Sequence, residues 1–113
     1  LASQLKAHDC AGRTRAVVAM LADKPVADVI KAVSGEIDDW YTAGLESVPR
    51  GLSAAHMADA VERQTSDVKL CAASTVASAC GQALAAAADN DRIIIFGSFY
   101  TVAEAMQFFA LQS

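Results

Sequence analysis

The 113-residue sequence lacks the motifs with which proteins usually hold nucleotide phosphates or build a catalytic centre. It contains no GxxxxGK[ST] phosphate loop, no GxGxxG turn, no GxSxG nucleophile elbow and no HExxH zinc motif. The two histidines, His8 and His56, stand apart on predicted helices without a cysteine or carboxylate at metal-ligand spacing, so we interpret both as surface residues. We therefore expect neither nucleoside-triphosphate chemistry nor a metal centre in this chain unaided.

Cysteine is also scarce. The three cysteines, Cys10, Cys71 and Cys80, are odd in number and form no CxxC pair, and two of them stand among alanine and other apolar residues. We predict reduced, buried thiols without a catalytic role.

Neither a basic cluster nor a long apolar run is present. There are 9 Lys and Arg against 13 Asp and Glu, spread along the chain, which argues against nucleic-acid binding by a basic face. No apolar stretch approaches the roughly 20 residues of a membrane-spanning helix, and the first residues do not resemble a secretory signal, so we expect a cytoplasmic protein. The absence of an initiator Met suggests a fragment or a processed chain.

The sequence has ample hydrophobic residues, 54% of the total, which is enough for one continuous core. A chain of 113 residues also has the usual size of a single domain, so we predict one domain over residues 1–113. Apolar periodicity alternates between helix and strand. We predict strands at residues 14–21, 38–45, 68–72 and 92–96, and helices at 1–8, 26–37, 53–64, 76–88 and from 101 onward. The first and last strands are apolar enough to be buried on both faces. This order predicts a Rossmann-like three-layer α/β domain, with a mainly parallel sheet and helices on both faces.

Ligands of such sheets meet the carboxyl ends of the strands, which makes the loops at residues 22–25 and 97–101 candidate sites. In the first loop, Asp23 has two open interpretations, a ligand contact or a helix cap. In the second, Ser98 and Thr101 flank a helix N-terminus, where free N–H groups favour a bound carboxylate. Thr101 is equally explained as the helix cap, forming a capping box with Glu104.

Three further expectations concern particular residues. Asp38 and Asp39 are neighbours in a strand and point to opposite faces, so we interpret them as a solvated strand start rather than a catalytic pair. Ser53, and either Ser74 or Thr75, are predicted helix N-caps. For the last helix we predict an apolar face against the sheet, made by Val102, Ala105, Met106 and Phe109.

Four segments, in order and in register, resemble the C-terminal domain of the bacterial bifunctional dihydrofolate synthase/folylpolyglutamate synthases, within the Mur ligase superfamily. They are VVAMLADK at residues 17–24, DDWY at 38–41, PRG at 49–51 and FGSFYTV at 96–102. Each segment alone is a weak signal, but four in register are fairly specific, and their order and spacing match along nearly the whole chain.

The resemblance implies the C-terminal glutamate-ligase domain of a larger enzyme that uses ATP and Mg²⁺. Such an enzyme phosphorylates a carboxylate of dihydropteroate or a folate and joins the acyl phosphate to L-glutamate. The implied partner is the N-terminal and central ATPase part of the same enzyme, over which this domain closes. The family's Asp-x-x-His-Asn-Pro segment is expected just upstream of Leu1, and this domain alone is expected to be inactive and to bind no cofactor.

The resemblance also implies which residues matter. Lys24, Ser98, Tyr100, Thr101 and Arg50 are expected on the glutamate side of the cleft, and Asp23 on the nucleotide side or at the domain junction. For Arg50, a bidentate contact with a carboxylate and a structural pairing with an Asp are both open. This chain departs from the family pattern twice. Pro25 stands where a second Asp is usual, and Tyr100 replaces the common His, so no role is carried over for position 25 and a polar role at position 100 is in question.

A different class of function stays open at this point, a free-standing binding module that is receiver-like or flavodoxin-like. A receiver needs an acidic pair after its first strand, and this chain has only Asp23 there. A flavodoxin-like module needs a Ser/Thr-rich phosphate loop at the same place, where this chain has Ala22-Asp23-Lys24.

Overall fold

The computed structural model describes residues 12–65 and 68–111. The predicted first helix, together with His8 and Cys10, lies outside this part of the chain. The elements in chain order are β1 (Thr14–Val18), α1 (Val26–Val33), a short 3-10 turn (Ser34–Glu36), β2 (Asp39–Thr42), α2 (Ala54–Gln64), β3 (Lys69–Ala72), α3 (Val76–Ala86), β4 (Arg92–Phe96) and α4 (Phe99–Leu111).

The four strands form one parallel sheet in the order β3-β2-β1-β4. The chain builds outward from β1 to β3 on one side and then crosses to place β4 on the other side of β1. The carboxyl ends of β1 and β4 therefore flank the point where the direction of winding reverses, which is where ligands bind in sheets of this kind. The predicted parallel sheet is confirmed, and β1, predicted to be buried on both faces, lies buried inside it.

Helices cover both faces of the sheet, as predicted. On one face, α1 and α2 bury Ile30 and Met57 against Trp40 of β2. On the other face, α3 and α4 bury Ala79 and Ala105 against Tyr41. Burying a side chain of the size of Ile30 or Met57 stabilises the fold by about 1.5–3 kcal/mol, so these two apolar layers hold the helices on the sheet.

Of the two strands that end beside the reversal point, β1 is shorter than predicted and β4 is less buried than predicted. β1 ends at Val18, because the chain then leaves the parallel ladder and Leu21 forms an isolated antiparallel bridge with Gly51. β4 has the predicted limits, but it is only half-buried, so the prediction of burial on both faces is wrong for this strand. It lies at the edge of the sheet, with β1 on one side only.

The predicted capping box at Thr101 is wrong. α4 begins at Phe99, and the Thr101 N–H donates to the hydroxyl of Ser98, which is the cap. The Glu104 carboxylate instead accepts a hydrogen bond from the Ala77 N–H at the start of α3, 2.9 Å away. The other caps agree with prediction, since Ser53 caps α2 and Thr75 caps α3.

The predicted buried face of the last helix is also partly wrong. Ala105 is buried and Phe109 is half-buried, but Val102 and Met106 are exposed. Thr101 is buried in their place. The sequence did not distinguish these faces because α4 is apolar on nearly every side.

Asp39 is not solvated, contrary to prediction. Its carboxylate is buried and accepts two hydrogen bonds from the Arg13 guanidinium, at 2.7 and 3.0 Å, and one from Arg15 at 2.9 Å. Arg15 also donates to Asp91, at 3.0 and 3.1 Å, and to the Tyr41 hydroxyl. These groups form an ion-pair network at the amino edge of the sheet. Asp38 is exposed and accepts a hydrogen bond from the Thr14 N–H.

The cysteines are free thiols where the structure describes them. Cys80 is buried as predicted, whereas Cys71 is exposed on the edge strand β3, so the prediction of burial is wrong there. No helix in residues 12–65 and 68–111 combines the length and the hydropathy needed to traverse a bilayer.

Candidate functional site

The two loops singled out in the sequence follow β1 and β4 at the same carboxyl edge of the sheet. The Thr101 hydroxyl, in the first turn of α4, donates to the Ala19 carbonyl that follows β1, at 2.6 Å. Gly97 makes this approach possible, because its φ of 125° and the 2.3 Å that would separate a Cβ from the Ala19 oxygen exclude a side chain. The start of α4 is therefore fixed against the segment that directly follows β1.

The hydroxyls of Ser98 and Thr101 are both committed to internal hydrogen bonds. Thr101 gives its one proton to Ala19, so the 2.8 Å contact between the two hydroxyl oxygens requires Ser98 to donate. Ser98 in turn accepts from the Thr101 N–H at 3.1 Å. Thr101 is completely buried and Ser98 half-buried. This arrangement fixes the start of α4.

The first two backbone N–H groups of α4 point beyond the helix end. Those of Phe99 and Tyr100 make no hydrogen bond within the described residues, whereas the Val102 N–H already bonds to the Ser98 carbonyl at 3.2 Å. Free N–H groups at the positive end of a helix dipole attract an anion such as a carboxylate. The side chain of Tyr100 is half exposed beside them and packs edge-to-face with Phe99.

The loop after β1 forms a tight turn in which the Lys24 N–H donates to the Leu21 carbonyl, at 3.2 Å. Asp23 and Lys24 are both exposed on this turn. The Lys24 ammonium has no ion-pair partner in residues 12–65 and 68–111. A cationic group thus stands on the same sheet edge as the start of α4.

A third segment crosses this edge between β2 and α2. The Arg50 carbonyl accepts from the Ala22 N–H at 2.7 Å, and the Arg50 guanidinium lies 3.2 Å from the Asp23 carboxylate. The backbone of Arg50 has a φ of 63°, a conformation uncommon for residues other than glycine and most frequent at functional or tightly constrained positions. Because both side chains are exposed, this ion pair contributes little stability and can be exchanged for a ligand.

The structure therefore brings Asp23, Lys24, Arg50, Ser98 and Thr101 to one edge, with Tyr100 beside them. Reasoning from residues alone predicted free N–H groups at this helix start, but the predicted capping box placed the start two residues too late. It also gave no reason to place residues 46–52 across the edge of the sheet, since contacts of that loop with Met20 and Ala22 are long-range.

The chemistry of this edge suits an anion better than a metal ion. No group of three or more His, Cys, Asp or Glu side chains in metal-binding arrangement occurs in the part of the chain that the structure describes. By themselves, these residues do not form a binding site for a divalent metal ion. Nor do they include a phosphate loop for ATP.

A groove of about 540 Å³ lies at the opposite edge of the sheet, between the ends of α3 and α4. Its apolar lining includes Leu84, Ile93 and Phe109, with Asp89 and Asp91 among its acidic residues. Asp91 is held in the ion-pair network, and no residue of the candidate site lines this groove.

Known proteins resemble the chain over most of its length. In the Escherichia coli K12 dihydrofolate synthase/folylpolyglutamate synthase, 107 residues align at 36% identity, which is 95% of this chain and 24% of that protein. The structure of E. coli FolC in complex with DHPP and ADP superposes with a TM-score of 0.87 at 32% identity, covering 98% of this chain and 25% of that one. A bifunctional folylpolyglutamate synthase/dihydrofolate synthase with Mn, AMPPNP and L-glutamate bound superposes with a TM-score of 0.76 at 35% identity, covering 98% and 25%.

The chain thus spans about a quarter of the length of the relatives that it matches. These matches favour the ligase interpretation over the receiver-like or flavodoxin-like alternative, and they confirm the predicted Rossmann-like α/β class. The family model described as Mur ligase, glutamate ligase domain, matches residues 1–99. The chain belongs to this Mur ligase C-terminal, glutamate-ligase domain family.

Proposed function

We propose that residues 1–113 act as one domain, the C-terminal domain of an ATP-dependent ligase that adds L-glutamate to dihydropteroate, to folates, or to both. The observation that carries this proposal is the convergence of the Lys24 turn, the Arg50 loop and the start of α4 on one sheet edge, in a chain of this family. Related enzymes have been solved with ADP and DHPP, and with AMPPNP, Mn and L-glutamate.

The reaction has two chemical steps. The γ-phosphoryl group of ATP passes to the substrate carboxylate, giving an acyl phosphate and ADP. The amine of glutamate then attacks the acyl carbon, an amide bond forms, and inorganic phosphate and a proton leave. ATP and Mg²⁺ are held, in this proposal, by the nucleotide-binding part of the same enzyme, because the edge described above offers neither a phosphate loop nor a metal-ligand cluster.

The role of this edge is to hold glutamate. Glutamate carries two carboxylates, and the edge offers the Lys24 ammonium, the Arg50 guanidinium and the free N–H groups of Phe99 and Tyr100. Ser98 lies beside the ligand and fixes the helix start, while buried Thr101 acts by positioning rather than by contact. Tyr100 lines one side of the glutamate site. Asp23 faces the nucleotide side, and its ion pair with Arg50 breaks when a glutamate carboxylate binds the Arg50 guanidinium.

Holding the glutamate amine near the acyl phosphate greatly raises the rate of amide formation, because a bound and oriented amine no longer has to reach the acyl carbon from solution. Excluding water is equally important, since an acyl phosphate hydrolyses. A domain that closes over the nucleotide-binding part supplies both conditions.

The proposal is tested in a chimera, the E. coli dihydrofolate synthase/folylpolyglutamate synthase with this chain in place of its matched quarter. Replacing Lys24→Gln removes one charged hydrogen bond, which costs about 1.5–3 kcal/mol, so the glutamate KM should rise roughly tenfold to a hundredfold. The KM for ATP should stay within about twofold.

The matched control is Lys31→Gln, which removes the same charge from the exposed last turn of α1. It should leave both constants unchanged. An unchanged glutamate KM in Lys24→Gln, or an equal rise in the control, would contradict the proposed role of this edge.

A further inference from the structure

Helix α4 presents an apolar surface to solvent on the side that faces away from the sheet. Phe99, Val102 and Met106 are spaced at i, i+3 and i+7, so they lie along one line of the helix. Their exposed fractions are 83%, 40% and 68%, whereas Thr101 and Ala105 on the opposite side are buried. We call these three residues the α4 stripe.

The solvent side of α4 has no charged residue to keep it hydrated. Glu104 is the one charged residue in α4, and its carboxylate is engaged with the Ala77 N–H of α3. The outer sides of α1 and α2 differ, since α1 exposes Asp28 and Lys31, and α2 exposes Glu62 and Arg63. Helix α3 also has no charged residue, but Leu84, at 41%, is its one exposed large hydrophobic side chain. An outer helix side that is apolar and without charge is typical of a surface covered by another part of the protein.

The position of the stripe indicates what covers it. Phe99 directly follows Ser98, so the stripe begins at the candidate glutamate site and is continuous with it. The chain spans about a quarter of the length of its relatives, so a ligase of their size has three-quarters of its residues beyond the part described here. A surface that adjoins the cleft is the surface that meets those residues when the cleft closes.

We propose that the α4 stripe docks on an apolar surface of the nucleotide-binding part of the same ligase, and that this contact holds the two parts together around glutamate. The inference rests on the proposed function, because it takes that part as the occupant. It adds the surface by which closure is achieved, formed by three side chains to which the proposed function assigns no contact with substrate.

Methionine oxidation measures this contact directly, and the measurement does not depend on activity. Met106 is exposed in the 113-residue chain, whereas Met20 and Met57 are buried and serve as internal references. Hydrogen peroxide should oxidise Met106 rapidly in the chain alone. In the chimera with Mg-ATP and glutamate present, we expect oxidation of Met106 to slow at least tenfold, as read by mass spectrometry of the peptide.

A pair of variants tests whether the stripe makes the contact. Val102→Glu places a charge within the stripe and should return the oxidation rate of Met106 in the chimera to within about twofold of the rate in the chain alone. Leu111→Glu places the same charge on the same helix, at a residue that is 83% exposed but lies off the stripe and at the opposite end, and Met106 should stay protected.

The results separate this inference from the proposed function. Protection of Met106 in a chimera that does not ligate glutamate would support the contact and count against the function. Ligation with Met106 unprotected would overturn the contact alone. Protection that appears in the isolated chain as its concentration rises, and disappears in Val102→Glu, would assign the stripe to a second copy of this chain and also overturn the inference.

Discussion

Asp91 is the residue whose ionisation matters most to the amino edge of the sheet. Its carboxylate accepts hydrogen bonds from the backbone N–H groups of Ala88 and Arg13 and from the Arg15 guanidinium. These bonds favour the charged form and lower its pKa to about 2, from an ordinary value of 3.8. The pKa of Asp39 is lowered in the same way, first by its hydrogen bond from Arg13.

Because the pKa of Asp91 is depressed in the folded state, its contribution to stability is complete above about pH 4 and is lost as the pH falls toward 2. We predict that Asp91→Asn lowers the free energy of unfolding at pH 7 and flattens the loss of stability between pH 4 and pH 2. Urea denaturation at a series of pH values measures both effects.

The control for this prediction is Asp89→Asn. Asp89 is exposed and lies two residues before Asp91, so this variant removes the same charge outside the ion-pair network. It should leave the pH dependence between 4 and 2 as it is in the unaltered chain. Equal slopes for Asp91→Asn and the unaltered chain would contradict the role assigned to Asp91.

Cys80 shows the opposite effect of burial on an ionisable group. Desolvation, with a smaller contribution from Glu104, raises the pKa of its thiol to about 11. Nucleophilic attack requires the thiolate, so burial disfavours the reactive form of this cysteine near neutral pH.

At the scale of elements, the link between β1 and α4 depends on one buried hydroxyl. Thr101→Val keeps the shape of the side chain but leaves the Ala19 carbonyl without its donor and Ser98 without its acceptor. An unsatisfied buried polar group costs about 1–3 kcal/mol, so we predict a fall of roughly 10 °C in the thermal unfolding midpoint. Differential scanning calorimetry measures it.

Thr42→Val provides the matched control on β2. Thr42 is also completely buried, but its hydroxyl has no hydrogen-bond partner in residues 12–65 and 68–111. Removing an unsatisfied hydroxyl should leave the midpoint unchanged or raise it. Equal falls in the unfolding midpoint for Thr101→Val and Thr42→Val would contradict the role assigned to the Thr101 hydrogen bonds in holding α4 against β1.

At the scale of the whole molecule, the candidate site is open on one side. The sheet edge supplies positive groups for a carboxylate, but the described residues supply neither a phosphate loop nor a group of three metal ligands. The proposed function therefore needs a second body that brings the nucleotide and closes over glutamate.

We predict that the 113-residue chain does not hydrolyse ATP above the background rate in the presence of Mg²⁺, glutamate and a folate. The chimera, assayed under the same conditions, should release phosphate in step with ligation. Colorimetric phosphate release measures both, and ATP turnover by the chain alone at a rate similar to that of the chimera would refute the proposed division of roles.

The sequence by itself determined the order and type of the described helices and strands and the sheet edge at which the candidate site lies. These features follow from local signals. Apolar runs of different period separate strands from helices, Ser53 and Thr75 cap their helices, and alternation of the two elements requires a parallel sheet. Three of the four short segments that carry the resemblance to the ligases, at residues 17–24, 49–51 and 96–102, include residues at this same edge.

The tertiary structure alone decided which side of each element is buried and which groups meet. The aspartate at position 39 is buried because Arg13 and Arg15 neutralise it, a pairing between strands that no local pattern encodes. Helix α4 begins at Phe99 and not at the predicted Thr101, because the Thr101 hydroxyl donates to the Ala19 carbonyl, 82 residues away in the chain, instead of capping the helix. The periodicity of a segment shows which of its sides is apolar. Which side chains are buried, and which groups form hydrogen bonds, depends on the other segments that pack against that segment in the folded chain.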